Sequence, residues 1–91
     1  MVRPYTQSTD GSVIIRTFSG ASDEDELSWH RDEKDREVTV ISGDGWKFQH
    51  DNGLPVDMMA GDTMWIPRDS WHRIIKGSGD LVVAIKERSD T

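Results

Sequence analysis

The sequence predicts an all-β domain built from many short strands. Three observations lead there: turn signals recur at short intervals, the runs between them are rich in Val, Ile, Trp, Phe and Thr, and no run has a convincing helical period. The turn signals are Asp10-Gly11, Ser19-Gly20, Gly43-Asp44-Gly45, Asn52-Gly53, Gly61-Asp62 and Gly77-Ser78-Gly79. Glycine takes positive φ at no steric cost, and Asn and Asp side chains bond their own backbone, so these pairs reverse the chain. They bound eight candidate strands over residues 12–18, 26–31, 37–42, 46–50, 56–59, 62–66, 71–76 and 81–87. The first eleven residues and the last four read as frayed ends, which leaves a core of about 12–87 in one domain over 1–91.

Alternation assigns faces to each strand, because successive side chains point to opposite sides of a sheet. In the second strand Leu27, Trp29 and Arg31 share one face, and Ser28, His30 and Asp32 share the other. In the third, Arg36, Val38, Val40 and Ser42 lie together, opposite Glu37, Thr39 and Ile41. The acidic block Asp23-Glu24-Asp25-Glu26 precedes the second strand and reads as a solvated turn, since it lacks the glycine and alternation of a calcium loop.

Composition narrows the function. With 11 Lys and Arg against 17 Asp and Glu, the net charge of −6 repels a phosphate backbone, so nucleic acid is not an expected partner. The absence of cysteine removes disulfides, thiolate nucleophiles and cysteine-held zinc, so any metal needs histidine or carboxylate ligands. No apolar run reaches the roughly 18 residues of a membrane span, and the N-terminus lacks the apolar stretch of a signal peptide. A cytoplasmic protein with no membrane partner is the expectation. A chain of 91 residues buries only a modest core, so a homodimer covering a strand edge is also expected.

The strongest local signal runs from Gly61 to His72: glycine, five residues, Pro67, one residue, Asp69, two residues, His72. This resembles the second motif of the cupin superfamily, with Asp69 standing at the turn glycine. Asp tolerates left-handed geometry better than most residues, so the exchange is acceptable. Upstream, His30-Arg31-Asp32 followed by Arg36, six residues and Gly43 is similar to the first cupin motif. The two together cover residues 30–72, about half the chain. The resemblance implies a small double-stranded β-helix, or jelly-roll barrel, with one metal held inside by three histidines and a glutamate.

Carried over by position, that ligand set is altered twice. His30 matches the first histidine and His72 the last, Asp32 replaces the second histidine, and Arg36 stands at the glutamate position. Glu37 becomes a ligand only if the strand register differs by one residue, which would turn Arg36, Val38 and Val40 outward. With Arg36 inward, its guanidinium, which cannot bind metal, would pair with Asp32. His30, Asp32 and His72 still match the two-histidine, one-carboxylate triad that leaves open positions on a metal. The residues therefore leave two states open: one divalent ion (Fe, Ni, Mn or Zn), or a vestigial site with none.

Arg36, Trp46, Phe48 and Trp65 are the candidate ligand-pocket residues, the rings for stacking and the guanidinium for an anion. Arg31 and Arg73 have outward parity, His50 reads as a surface residue beside a turn, and Trp29 and Trp71 as core or interface packing. The leading expectation is a barrel that binds an unidentified small, anionic molecule beside a degenerate metal site. The alternatives are a metal-dependent enzyme, dioxygenase-like or isomerase-like, at His30, Asp32 and His72, and a non-catalytic assembly protein.

Overall fold

Eight antiparallel strands form two sheets in the computed structural model, which describes residues 5–20 and 29–88. They are β1 (Tyr5–Asp10), β2 (Val13–Phe18), β3 (Asp35–Asp44), β4 (Lys47–His50), β5 (Val56–Asp57), β6 (Thr63–Ile66), β7 (His72–Ile75) and β8 (Ser78–Arg88). One sheet has five strands in the order β1-β2-β8-β3-β6, and the other has three in the order β5-β4-β7. No described residue is helical, so no helix is long and apolar enough to cross a membrane among them. The acidic block at 23–26 and most of the expected strand at 26–31 lie outside the described residues. Within 29–31 the chain makes one isolated bridge, His30 to His72.

The expectation that the first eleven residues fray is overturned by β1. Its six residues pair with β2 in full register, from Tyr5 opposite Phe18 to Asp10 opposite Val13. The connecting turn is Gly11-Ser12, with Gly11 at φ 62°, the positive angle that a two-residue hairpin needs at its first position. The sequence Tyr-Thr-Gln-Ser-Thr-Asp conceals this strand because it is an edge strand with almost every side chain exposed. Polar edges suit a chain that must not pair with others.

The core sits between the sheets and follows strand alternation. Leu81, Val83 and Ile85 of β8 are 0%, 2% and 3% exposed, and Val38 and Val40 of β3 oppose them from the next strand. Trp46, Phe48, Met58 and Ile66 close the cluster from the other elements. Truncating a side chain such as Leu81 to alanine is expected to cost about 2–5 kcal/mol, because a close-packed interior collapses only partly around the hole.

The register of β3 settles which way Arg36 and Glu37 point. Arg36 has the parity of buried Val38 and Val40 and faces the interior, opposite Ile66 on one side and Glu87 on the other. Glu37 lies on the outer face, opposite Trp65 and Lys86, with Arg88 at 3.8 Å. The conditional reading of Glu37 as a ligand is thereby corrected.

A candidate metal centre at one end of the barrel

Two cross-strand relations bring the histidines together. His30 and His72 exchange both backbone hydrogen bonds, at 3.0 and 2.9 Å, and residues paired this way present their side chains to the same face. Their rings meet edge to face with centroids 4.3 Å apart. On the other side of β7, His50 is the register partner of His72, and its ring lies edge-on against Phe48 at 4.7 Å. Phe48 in turn stacks on His72 at 5.7 Å, so the buried histidine ring is held by aromatic neighbours.

The turn after Pro67 positions the third member. Asp69 has φ 61°, the left-handed conformation for which its place in the motif calls. That geometry accompanies a hydrogen bond from its backbone N–H to the Asp32 carbonyl, at 2.7 Å. The next contact, Arg68 N–H to the Asp35 carboxylate at 2.7 Å, latches the same two segments again. The Pro67–Ser70 turn of the second motif thus fixes the backbone that carries Asp32.

Ser70 also orients the ring of His72. Its carbonyl oxygen lies 3.0 Å from His72 Nδ1 and can only accept, so Nδ1–H donates to it and Nε2 is turned toward Asp32 Oδ2, 3.2 Å away. Oδ2 is buried, and Arg36 Nη1 stands 3.4 Å from it. Ligand atoms of His30, Asp32 and His72 all lie within 4.8 Å of one another. Ligands about 2.0–2.2 Å from a shared ion stand roughly 3–4 Å apart, so modest side-chain adjustment brings this set onto one cation. Two imidazoles and a carboxylate suit a divalent transition metal, and the Nδ1–H to carbonyl bond is the usual support for a ligating histidine.

Arg36 does not occupy Asp32 fully. Its Nε and Nη2 both donate to Glu87 Oε2, at 3.0 and 2.8 Å, while Nη1 stands 3.4 Å from Asp32 Oδ2. Burial pushes the Asp32 carboxyl up, but the His72 ring and the charges of Arg36, His72 and His30 outweigh it and hold the group below its ordinary range. Asp32 is therefore ionised at neutral pH.

These residues line a cavity of about 320 Å³. Its wall is apolar, from Val38, Phe48, Ile66, Ile74, Val83 and Ile85, and its polar groups are His30, Asp32, Arg36, His72, Arg16 and Tyr5. Of the expected pocket residues, Arg36 and Phe48 line it. Trp46 does not: it is fully buried in the core, its Nε1–H donating to the Gly79 carbonyl at 3.3 Å. Trp65 does not either, because it shares the outer face with Glu37, is 47% exposed, and lies 5.8 Å beneath the Arg88 guanidinium. Trp29 and Trp71 are exposed rather than core, each under an arginine: Arg73 at 4.9 Å and Arg31 at 5.3 Å.

Three residues of this site escape a reading of the sequence. Glu87 continues the inward alternation of Leu81, Val83 and Ile85, so its direction is legible but its partner is not. Arg16 sits between Ile14 and Phe18, while the opposite face offers Val13 and Ile15, and two apolar faces leave parity undecided. Tyr5 belongs to the strand whose polar character hides it.

No protein-family model matches the sequence, and no curated protein does. Solved structures do. A DMSP lyase structure superposes with TM-score 0.72 at 18% identity, covering 85% of this chain and 37% of that one. FeII HppE in complex with substrate superposes at 0.64 with 14% identity, covering 93% and 53%. The chain thus spans about a third of the first and half of the second. A cupin domain from Bordetella pertussis superposes at 0.62 with 21% identity over 98% of this chain and 99% of that one. The chain has the cupin fold. Within that fold His30, Asp32 and His72 are gathered at the cavity, His72 buried and His30 exposed.

Proposed function

We propose that this protein binds one divalent transition-metal ion through His30, Asp32 and His72, and a small molecule in the adjoining cavity at the metal's open positions. The observation that carries the reading is the convergence of His72 Nε2 on the buried Asp32 Oδ2, 3.2 Å away, with ligand atoms of His30, Asp32 and His72 all within 4.8 Å of one another. The similarity to FeII HppE supports the class of ion only as a likeness of fold.

A metal so held supplies Lewis acidity and vacant coordination positions to a bound molecule. The protein's own contributions are separate: the Ser70 carbonyl orients the His72 ring, Glu87 draws the Arg36 charge off Asp32, and the wall of the cavity offers an apolar surface to a bound molecule. On this proposal the parts in place are those that a metal-dependent enzyme acting on a small molecule would use.

Metal analysis of protein purified without chelator, followed by titration with Fe²⁺, Mn²⁺, Ni²⁺ and Zn²⁺, tests the proposal. Near-stoichiometric binding that is lost in both His30→Ala and His72→Ala is expected. Failure of all four ions to bind would instead establish the vestigial site, with Arg36 and Asp32 as a structural ion pair 3.4 Å apart.

A further inference from the structure

Arg36 is spoken for by Glu87 and Asp32, but a second arginine reaches the same cavity without an ion-paired carboxylate among the described residues. Arg16 on β2 lies opposite Val83 of β8, which is 2% exposed, so the register turns its side chain inward. On its other side it faces Gln7 of β1, whose Oε1 accepts from Arg16 Nε at 3.0 Å and Nη2 at 2.7 Å. The Tyr5 ring lies 4.0 Å beneath the guanidinium carbon. Both neighbours are neutral, and no carboxylate among the described residues forms an ion pair with Arg16. Tyr5, Arg16 and Phe18 all line the cavity that holds His30, Asp32 and His72.

A guanidinium whose Nε and Nη2 are pinned by an amide oxygen, and whose face is covered by a ring, is pre-organised. Its rotamer freedom is restricted before any ligand arrives, and a cation partly withdrawn from water, with Asp32 and Glu87 acting on it only from beyond ion-pair distance, favours an anion beside it. One such cation calls for one negative charge. The rest of the wall is aliphatic and aromatic, which calls for an apolar body. The cavity volume of about 320 Å³ stands at the small end of ligand pockets, which run about 300–1,000 Å³.

We infer that the ligand is a small monocarboxylate with an apolar body, whose carboxylate is held at Arg16 beside Tyr5 and Gln7 while its body extends into the cavity toward the histidine and Asp32 centre. The inference deepens the proposed function and rests on its reading of the interior as a small-molecule site. It moves the anion position from Arg36, the expected one, to a residue on the opposite side of β8.

Titration calorimetry with unbranched monocarboxylates from propanoate to octanoate, each against its neutral primary amide, tests it. The series is run on chelated protein and on protein loaded with Mn²⁺. At least one carboxylate is expected to bind tenfold or more tightly than its amide in both samples. Arg16→Gln removes that preference and Arg16→Lys restores part of it. In the wild-type protein the Arg16 Nε–H resonance shifts on adding the carboxylate and not the amide, which reads the contact even if a variant fails to fold.

Equal binding of acid and amide, no binding by any member, or a preference surviving in Arg16→Gln would overturn the assignment. So would inorganic phosphate binding as tightly as the best carboxylate. A preference that disappears on chelation places the carboxylate on the metal and also overturns it, while leaving the proposed function standing. Loss of Mn²⁺ binding with the preference intact has the opposite meaning.

Discussion

Arg36 donates twice to Glu87 Oε2, at 3.0 and 2.8 Å, and stands farther, 3.4 Å, from Asp32 Oδ2. The two residues are register partners across β3 and β8, so the pairing is built into the sheet. Its consequence is that an arginine at a ligand position of the motif does not by itself close the metal site. Replacing Glu87 by Gln leaves Arg36 one carboxylate, Asp32, and that competition is expected to lower divalent-metal affinity by about tenfold, equivalent to ~1.4 kcal/mol. Calorimetric titration with Mn²⁺ reads the change, and unaltered affinity in Glu87→Gln would show that Glu87 has no part in keeping Asp32 available.

Glu37 provides the matched control. It sits on the outer face with Arg88, itself 65% exposed, at 3.8 Å, and such pairs contribute little. Glu37→Gln is expected to change stability by no more than about 0.5 kcal/mol and to leave metal binding unchanged. A loss of metal in this variant would mean that β3 is out of register by one residue.

The two histidines should separate in stability though not in metal binding. His30 is exposed, whereas His72 is 4% exposed and bonded to the Ser70 carbonyl. His72→Ala leaves a void between Phe48 and Asp32 and is expected to cost about 2–3 kcal/mol in chelated protein, while His30→Ala costs under about 1 kcal/mol. Urea melts of the metal-free variants measure this difference.

Asp32 makes the protein acid-sensitive. Its folded-state pKa lies below the ordinary 3.8, so the ionised group contributes stability that is present above the unfolded value and lost as pH falls through the folded one. In chelated protein the melting temperature is expected to fall on acidification below about pH 5, and Asp32→Asn should show a shallower decline. Parallel declines in the two proteins would place the acid sensitivity in other carboxylates.

The turn at Asp69 offers a stability test away from the ligands. Its φ of 61° is left-handed, a region where an L-residue without a local side-chain bond is strained by about 1 kcal/mol or more. Asp69→Ala is expected to be less stable by about that much, and Asp69→Gly to match or exceed the parent. Thermal melts decide between this and a turn whose conformation differs.

The all-β class, most of the strands and both motif turns are legible in the residues alone, because alternation and turn chemistry are local. Leu81, Val83 and Ile85 declare their face by spacing two apart, and Asp69 declares its φ by its place after Pro67. The candidate centre is legible for a related reason: His30, Asp32 and His72 hold motif spacing, and the inward parity of Arg36 follows from Val38 and Val40. The strand at Tyr5–Asp10 is not legible, because an exposed edge has no apolar rhythm to betray it, and Trp46 and Trp65 mislead because ring chemistry says nothing about face.

What the sequence determines by itself is thus the kind of barrel and the set of residues that its motifs bring near one another, since both depend on short-range geometry. Partnership is decided only by the tertiary structure. Glu87 is 51 residues from Arg36 and meets it because β8 lies beside β3. Gln7 and Tyr5 reach Arg16 because β1 folds back on β2. Charge balance in a buried site is a sum over strands distant in the chain, and no local pattern encodes that sum.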